Sequence, residues 1–232
     1  MKTTNKSKVE LIDSMGSDLT VVNAAKVSFD KESEWEIGRG SGGTFDPIKV
    51  LSNKDKKLIK YLADNNHWSP FAHTAITLRV TAPIFVARQL VKHQVGGVWN
   101  EVSRRYVDYE PVFYFPDKWR KRAENVKQGS SDEAVDVPNG FLESRIELLN
   151  VAYQELLEND VAPEQARMIL PQNMMTSWYW TGSLIFFHRV FKQRTDPHAQ
   201  VETAEVGHAI GEICEKLFPH SWSALCNTSS DC

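Results

Sequence analysis

Planar polar side chains crowd two parts of the sequence. The first runs Arg88-Gln89-Leu90-Val91-Lys92-His93-Gln94 and resumes at Asn100-Glu101-Val102-Ser103-Arg104-Arg105-Tyr106. On a helix, Gln89 and His93 are four residues apart and Gln89 and Lys92 three apart, so they share a face. The Gly96-Gly97 break that follows predicts a loop presenting Glu101 to Arg105. The second part gathers Arg167 on one helix with Ser183, Arg189 and Arg194 on another. Ser183 and Arg194 are eleven residues apart, about three helical turns, and so lie along one line. A guanidinium is a rigid fork of donors that matches phosphate or the carbonyl-imide edge of a base. Several such forks in a chain of net charge -3 point to a local anionic site. Exposed salt bridges would use the same residues, and residue type alone leaves both readings open.

These groups need elements to carry them. Lys8 to Ile12 reads as a strand, with Asp18 placed to cap a helix through Leu19, Val22, Ala25 and Val27. Residues 31 to 47 read as a loop, and Lys54 to Asn65 as a helix with Leu58, Ile59 and Leu62 on one face. Pro70 makes His67-Trp68-Ser69-Pro70-Phe71-Ala72-His73 a turn or extended segment. Ile76, Leu78 and Val80 alternate with Ala75, Thr77 and Arg79, the pattern of a half-buried strand. Pro83 suits the first turn of a helix from Ile84 to about His93. Val107 to Phe115 reads as extended and residues 125 to 138 as a polar surface insertion. Phe141 to Leu157, Pro163 to Leu170, Leu184 to Arg194 and Ala199 to Leu217 read as helices, and Met174 to Trp180 as a strand. Residues 223 to 232 read as a frayed tail. Strands and helices intermix without a repeat. The predicted fold is therefore α+β, a single domain over residues 1 to 232 with a mixed or antiparallel sheet flanked by helices.

Composition narrows the function classes. With 41% apolar and 25% charged residues, the chain has an ordinary globular mix, and its acidic balance disfavours a nucleic-acid partner. Cys214, Cys226 and Cys232 are odd in number and hold no Cys-x-x-Cys pair, so a reducing, cytoplasmic setting is expected. Residues 1 to 18 lack an apolar stretch, and no run is long enough to span a membrane. Gly38 to Gly43 spells G-x-G-x-x-G, but without the flanking strand and helix it reads as a flexible loop. His67, His73 and His93 lack the spacing that pairs metal ligands on a helix, and no metal is expected. Trp178-Tyr179-Trp180 reads as core or subunit contact, Cys214 as a buried thiol, and Ser103 lacks a nucleophile elbow. Two rivals remain. One is a nucleic-acid module using Arg104, Arg105, Tyr106, Tyr109 and Phe113, where basic and aromatic residues interleave. The other is a hydrolase whose histidines bind a metal.

Taken together, the motifs resemble the flavin-dependent thymidylate synthases over nearly the whole chain. Val9 to Gly16 and Asn23 to Phe29 look like the family's opening. His67 to His73 looks like its H-x-[ST]-P-F-x-H segment, and Ala82 to Gln89 like the helix before its signature. Asn100 to Tyr106 looks like the signature's end, and Arg167 to Pro171 and Arg194 to Gln200 complete the set. This chain has Lys92-His93-Gln94 where the family signature opens Arg-His-Arg, and Val95 to Val102 is one residue longer than usual. It also has Ser183-Leu184-Ile185 where many members have Asn-x-Arg, and Arg104 replaces a common small residue.

The resemblance implies a reaction: a methylene passes from 5,10-methylenetetrahydrofolate to uracil C5 of dUMP, reduced FAD supplies the hydride, and NADPH reduces the flavin again. It assigns Gln89, Lys92, Ser103, Arg104, Arg105, Arg167 and Arg194 to dUMP, with Arg194 catalytic by drawing the N3 imide toward its anion. Ser69, Lys92, His93, Gln94, Glu101, Ser183 and Arg189 are assigned to FAD, and His67 to the folate side. It further implies a homotetramer with sites shared between subunits. No cysteine lies near the signature, as suits a route without a thiolate adduct.

Overall fold

The computed structural model describes residues 1–39, 47–124, 129–138 and 140–228. The chain runs through β1 (Lys2–Thr4), β2 (Lys8–Met15), α1 (Asp18–Lys26), β3 (Glu36–Arg39), β4 (Pro47–Val50) and α2 (Asn53–Asp64). Next come β5 (Ala75–Pro83), α3 (Ile84–Leu90), β6 (Gly97–Glu101), β7 (Val112–Tyr114), β8 (Trp119–Arg122) and β9 (Ser130–Val135). It ends with α4 (Phe141–Glu158), α5 (Pro163–Ala166), β10 (Met175–Gly182), α6 (Leu184–Arg194), α7 (Val201–Leu217) and α8 (Pro219–Cys226).

The alternation seen in the sequence builds the central sheet. Four antiparallel strands lie in the order β2-β5-β10-β6, with Val80 opposite Trp178 and Leu78 opposite Trp180. Their core-side residues Ile76, Leu78, Val80 and Trp180 have no exposed surface, and they pack against Val22, Ile59, Leu90, Phe187 and Ile210 from the helices. Burying each such side chain is worth roughly 1.5–3 kcal/mol. The opposite face carries hydroxyls instead: Thr77 and Thr181 are 3.0 Å apart, Thr81 donates to Ser177 at 3.1 Å, and Tyr179 is 46% exposed. The fold is thus α+β with helices on one side of an antiparallel sheet. No described helix is long and apolar enough to cross a membrane.

The glycine break does more than end a helix. Gly96 takes φ +84°, and Gly97 starts β6, a paired strand where the sequence predicted a loop. Gly97 faces Gly182 across β6 and β10, and the Phe186 ring lies over both; a Cβ would come within 2.4 Å of it at Gly97 and 2.2 Å at Gly182. Two glycines therefore admit one aromatic ring that meets Trp180 edge-on.

Other elements also depart from expectation. Part of the predicted 31–47 loop is the β3–β4 hairpin, while most of the Gly38–Gly43 motif lies outside the described residues. The polar insertion contributes β9, which pairs with β8. Only Val112–Tyr114 of the 107–115 stretch is a strand, and α3 stops at Leu90. The 163–170 helix is one turn of α-helix followed by a 3-10 turn, Arg167–Ile169, with Pro171 just beyond. Within the tail expected to fray, α8 runs to Cys226 because Trp222 and Leu225 are buried in the core.

Asp18 corrects a local reading. Ser17 is the N-cap of α1, in a capping box with Thr20. Asp18 is 2% exposed and accepts hydrogen bonds from the backbone of His220 at 3.0 Å and Ser221 at 2.8 Å, at the first turn of α8. A carboxylate there satisfies orphan N–H groups and the positive end of the helix dipole. Asp18→Ala is expected to lower stability by about 1–2 kcal/mol in urea unfolding, with Asp18→Asn recovering part of the loss.

Candidate active site

The last turn of α6 meets the end of α3 at Arg194. Its Nε donates to His93 Nε2 at 2.9 Å, and its terminal nitrogen donates to the Gln89 carbonyl at 3.0 Å. Burial lowers the Arg194 pKa but starts from a value far above neutrality, so the guanidinium stays charged. Arginine has five N–H groups, and these two contacts leave three for a ligand. Burial, then the charge of Arg194, pushes His93 down to about 4. The acceptor at Nε2 places the imidazole proton on Nδ1.

Gln89, Arg194 and Gln200 line a cavity of about 580 Å³ that also includes Lys192, Asp196 and His198. A chain of directed bonds runs behind it. Gln89 Nε2 donates to Gln200 Oε1, and Gln200 Nε2 donates to Glu202 Oε2 at 3.0 Å. Arg120 donates to Glu202 Oε1 at 2.7 Å and to Ser130 Oγ at 2.7 Å. Gln200 was legible as the end of the Arg194–Gln200 motif. Arg120 and Glu202, with side chains only 16% and 6% exposed, carried no signal in the sequence.

A second group lies elsewhere in the chain. Arg104 and Arg167, with Glu101, line a separate cleft of about 130 Å³ that shares no residue with the larger cavity. Arg104 is 7% exposed; it donates to the Tyr109 carbonyl and sits 4.4 Å from the Tyr109 ring centroid. It thus holds its own loop in shape, although it was expected as a nucleotide contact. Arg105 is exposed, 3.4 Å from Glu164, and Ser103 Oγ accepts from the Arg105 backbone at 3.3 Å. Arg167 is exposed and donates to the Glu164 carbonyl at 3.3 Å. Phe113 is fully buried, so the basic and aromatic residues of the nucleic-acid reading do not form one surface.

The residues expected beside the flavin are mostly open to solvent. His67, Ser69, Lys92, Gln94 and Arg189 are exposed, and Arg189 lies 5.9 Å from the centroid of Trp68, itself 51% exposed. Such cations, amides and one uncovered ring suit a pyrophosphate and a flat heterocycle. Glu101 is held by Thr176 at 2.8 Å and Trp99 at 3.1 Å, and Trp99 stacks on Trp178 at 4.2 Å. Ser183 is the N-cap of α6; its hydroxyl accepts from Phe186 N at 3.4 Å and keeps its own O–H to donate.

Cationic forks and carboxamides set in open cavities of an acidic α+β domain define a protein that handles small planar anions. Residues 10–220 match the family described as thymidylate synthase complementing protein. The flavin-dependent thymidylate synthase of Thermus thermophilus is 37% identical over 222 residues, 95% of this chain and 76% of that protein. That of Thermosipho africanus is 36% identical, over 97% and 92%. In three dimensions the chain resembles a UMP/dUMP methylase, PolB from Streptomyces cacaoi bound with 5-Br dUMP, with TM-score 0.80, 29% identity and 98% coverage of each chain. The chain belongs to the flavin-dependent thymidylate synthase family.

The depressed His93 pKa fixes a sign. The unfolded chain binds a proton at His93 near pH 6.5 and the folded chain only near 4, so between these values unfolding takes up a proton. The stability contribution is present above about 6.5 and is lost as pH falls toward about 4. His93→Gln is expected to flatten this part of the stability-pH curve, and the His93 NMR signal of the unaltered protein is expected to stay neutral at pH 5.5.

Proposed function

We propose that this protein methylates dUMP to dTMP, with FAD as the flavin, 5,10-methylenetetrahydrofolate as carbon donor and NADPH as reductant. The relatives' names supply the reaction and the flavin. The observation that carries the reading into this chain is Arg194: a half-buried guanidinium, fixed by two acceptors, with donors left over in a cavity large enough for a nucleotide.

Uracil C5 is a weak nucleophile, and it gains electron density when the N3 imide becomes an anion. Arg194 held against that imide stabilises the developing charge without reorganising, because His93 and the Gln89 carbonyl have already fixed its plane. A neutral His93 leaves the positive charge on Arg194 undivided. Ser69, Lys92, Gln94 and Arg189 would hold the flavin, with His67 on the folate side, and the flavin would supply the hydride that completes the methyl group. Among the described residues no cysteine lines either cavity, and burial raises the Cys214 thiol pKa, so Cys214 offers no ready thiolate for C6.

Arg104 and Arg167, with Ser103 and Arg105, form the phosphate-holding half of the site, contributed by a neighbouring protomer of a homotetramer. That they and Arg194 line separate cavities within one chain supports this reading. A cytoplasmic enzyme suits the odd count of three cysteines.

Arg194→Ala is expected to cut turnover about 10²–10³-fold while the purified protein keeps its yellow flavin absorbance. Full activity in that variant would remove Arg194 from the mechanism. Ser103→Ala is expected to keep measurable turnover, as a binding group and not a nucleophile.

A further inference from the structure

Behind the Arg194 cavity, one carboxylate sets the direction of two amides. Glu202 is 5% exposed and pairs with Arg120, and both its oxygens accept hydrogen bonds. Gln200 can therefore only offer its Nε2 to Glu202, at 3.0 Å. That turn leaves Gln200 Oε1 facing Gln89, which must answer with Nε2. Gln89 Oε1 then points to Thr203, whose hydroxyl donates at 3.3 Å. Each bond dictates the next, and the order starts from the only member that cannot donate. Gln89 keeps a second N–H and a second lone pair for a ligand, and their order along the cavity wall is no longer free.

We infer that Glu202 is a positioning residue for base recognition: through Gln200 it fixes which end of the Gln89 amide meets the pyrimidine, and so favours uracil over cytosine. This rests on the proposed function, because it places the base in the Arg194 cavity. Uracil presents at C4 a carbonyl that can accept the second N–H of Gln89, while its N3 is left to Arg194. Cytosine presents an amine at C4, a donor where uracil has an acceptor. An amide of fixed polarity complements one and opposes the other, whereas an amide free to flip accepts both. Arg120 is part of the device, since it pairs with Glu202 Oε1 at 2.7 Å and its bond to Ser130 Oγ, at 2.7 Å, anchors it to the β8–β9 hairpin.

The discriminating test uses two near-isosteric variants. In Glu202→Gln, an amide N–H faces Gln200, so both glutamines can turn over. In the double variant Glu202→Gln with Gln200→Glu, a carboxylate again accepts from Gln89 Nε2, and residue 202 still offers an oxygen to Arg120. Turnover of dUMP and competitive inhibition by dCMP are measured on flavin-loaded protein, with melting temperatures alongside. Glu202→Gln is expected to lower the preference for dUMP over dCMP by about tenfold, with the double variant recovering most of it. An unchanged preference in Glu202→Gln, or a double variant no better than the single, overturns the inference. If Glu202→Gln fails to fold, the double variant decides alone: a preference within a few-fold of the unaltered protein supports the relay, and its loss refutes it. Unaltered protein that makes no thymidylate would instead sink the proposed function, so the two failures are distinct.

Discussion

In the proposed reaction a single guanidinium, Arg194, ties the structure to its chemistry. It sits where α6 ends against α3, and its two fixed acceptors come from residues a hundred positions earlier in the chain. An unpaired half-buried cation would be costly; here imidazole and carbonyl stabilise it while sparing its remaining donors. The sheet makes this possible. β5 leads directly into α3 and β10 into α6, so the antiparallel pair of β5 with β10 anchors the starts of both helices at its opposite ends.

The same construction explains why the other cationic group lies apart. Arg104 follows β6 and Arg167 precedes β10, which places them beside Met175 and Thr176 at the start of β10, whereas Arg194 closes α6 against Gln89 and His93 at the end of α3. One chain therefore carries two separate cationic cavities, which on the proposed reading meet across protomers. The arginine-rich phosphate half and the Arg194 base half would each be incomplete alone, which couples assembly to activity.

Much of the fold was legible because burial writes a period into the sequence. Ile76, Leu78 and Val80 announce β5, and the helices at 54–65, 141–157 and 184–194 match within a residue or so. What escaped depends on contacts distant in sequence. Asp18 caps a helix two hundred residues away, Gly97 starts a strand because β10 is there to receive it, and the buried pair Arg120–Glu202 looks like two ordinary surface charges. The family motifs located Gln89, His93 and Arg194. They could not show that Ser183 caps α6 or that Arg104 is folded onto Tyr109.

Joining of the half-sites across protomers can be measured directly. Arg194→Ala and Arg167→Ala proteins, each inactive, are mixed, dissociated and reassembled, and thymidylate formation is assayed. If a working site takes Arg194 from one protomer and Arg167 from another, some sites in the mixed oligomers regain both arginines, and activity returns. Reassembled mixed oligomers that stay as inactive as either parent would contradict the account.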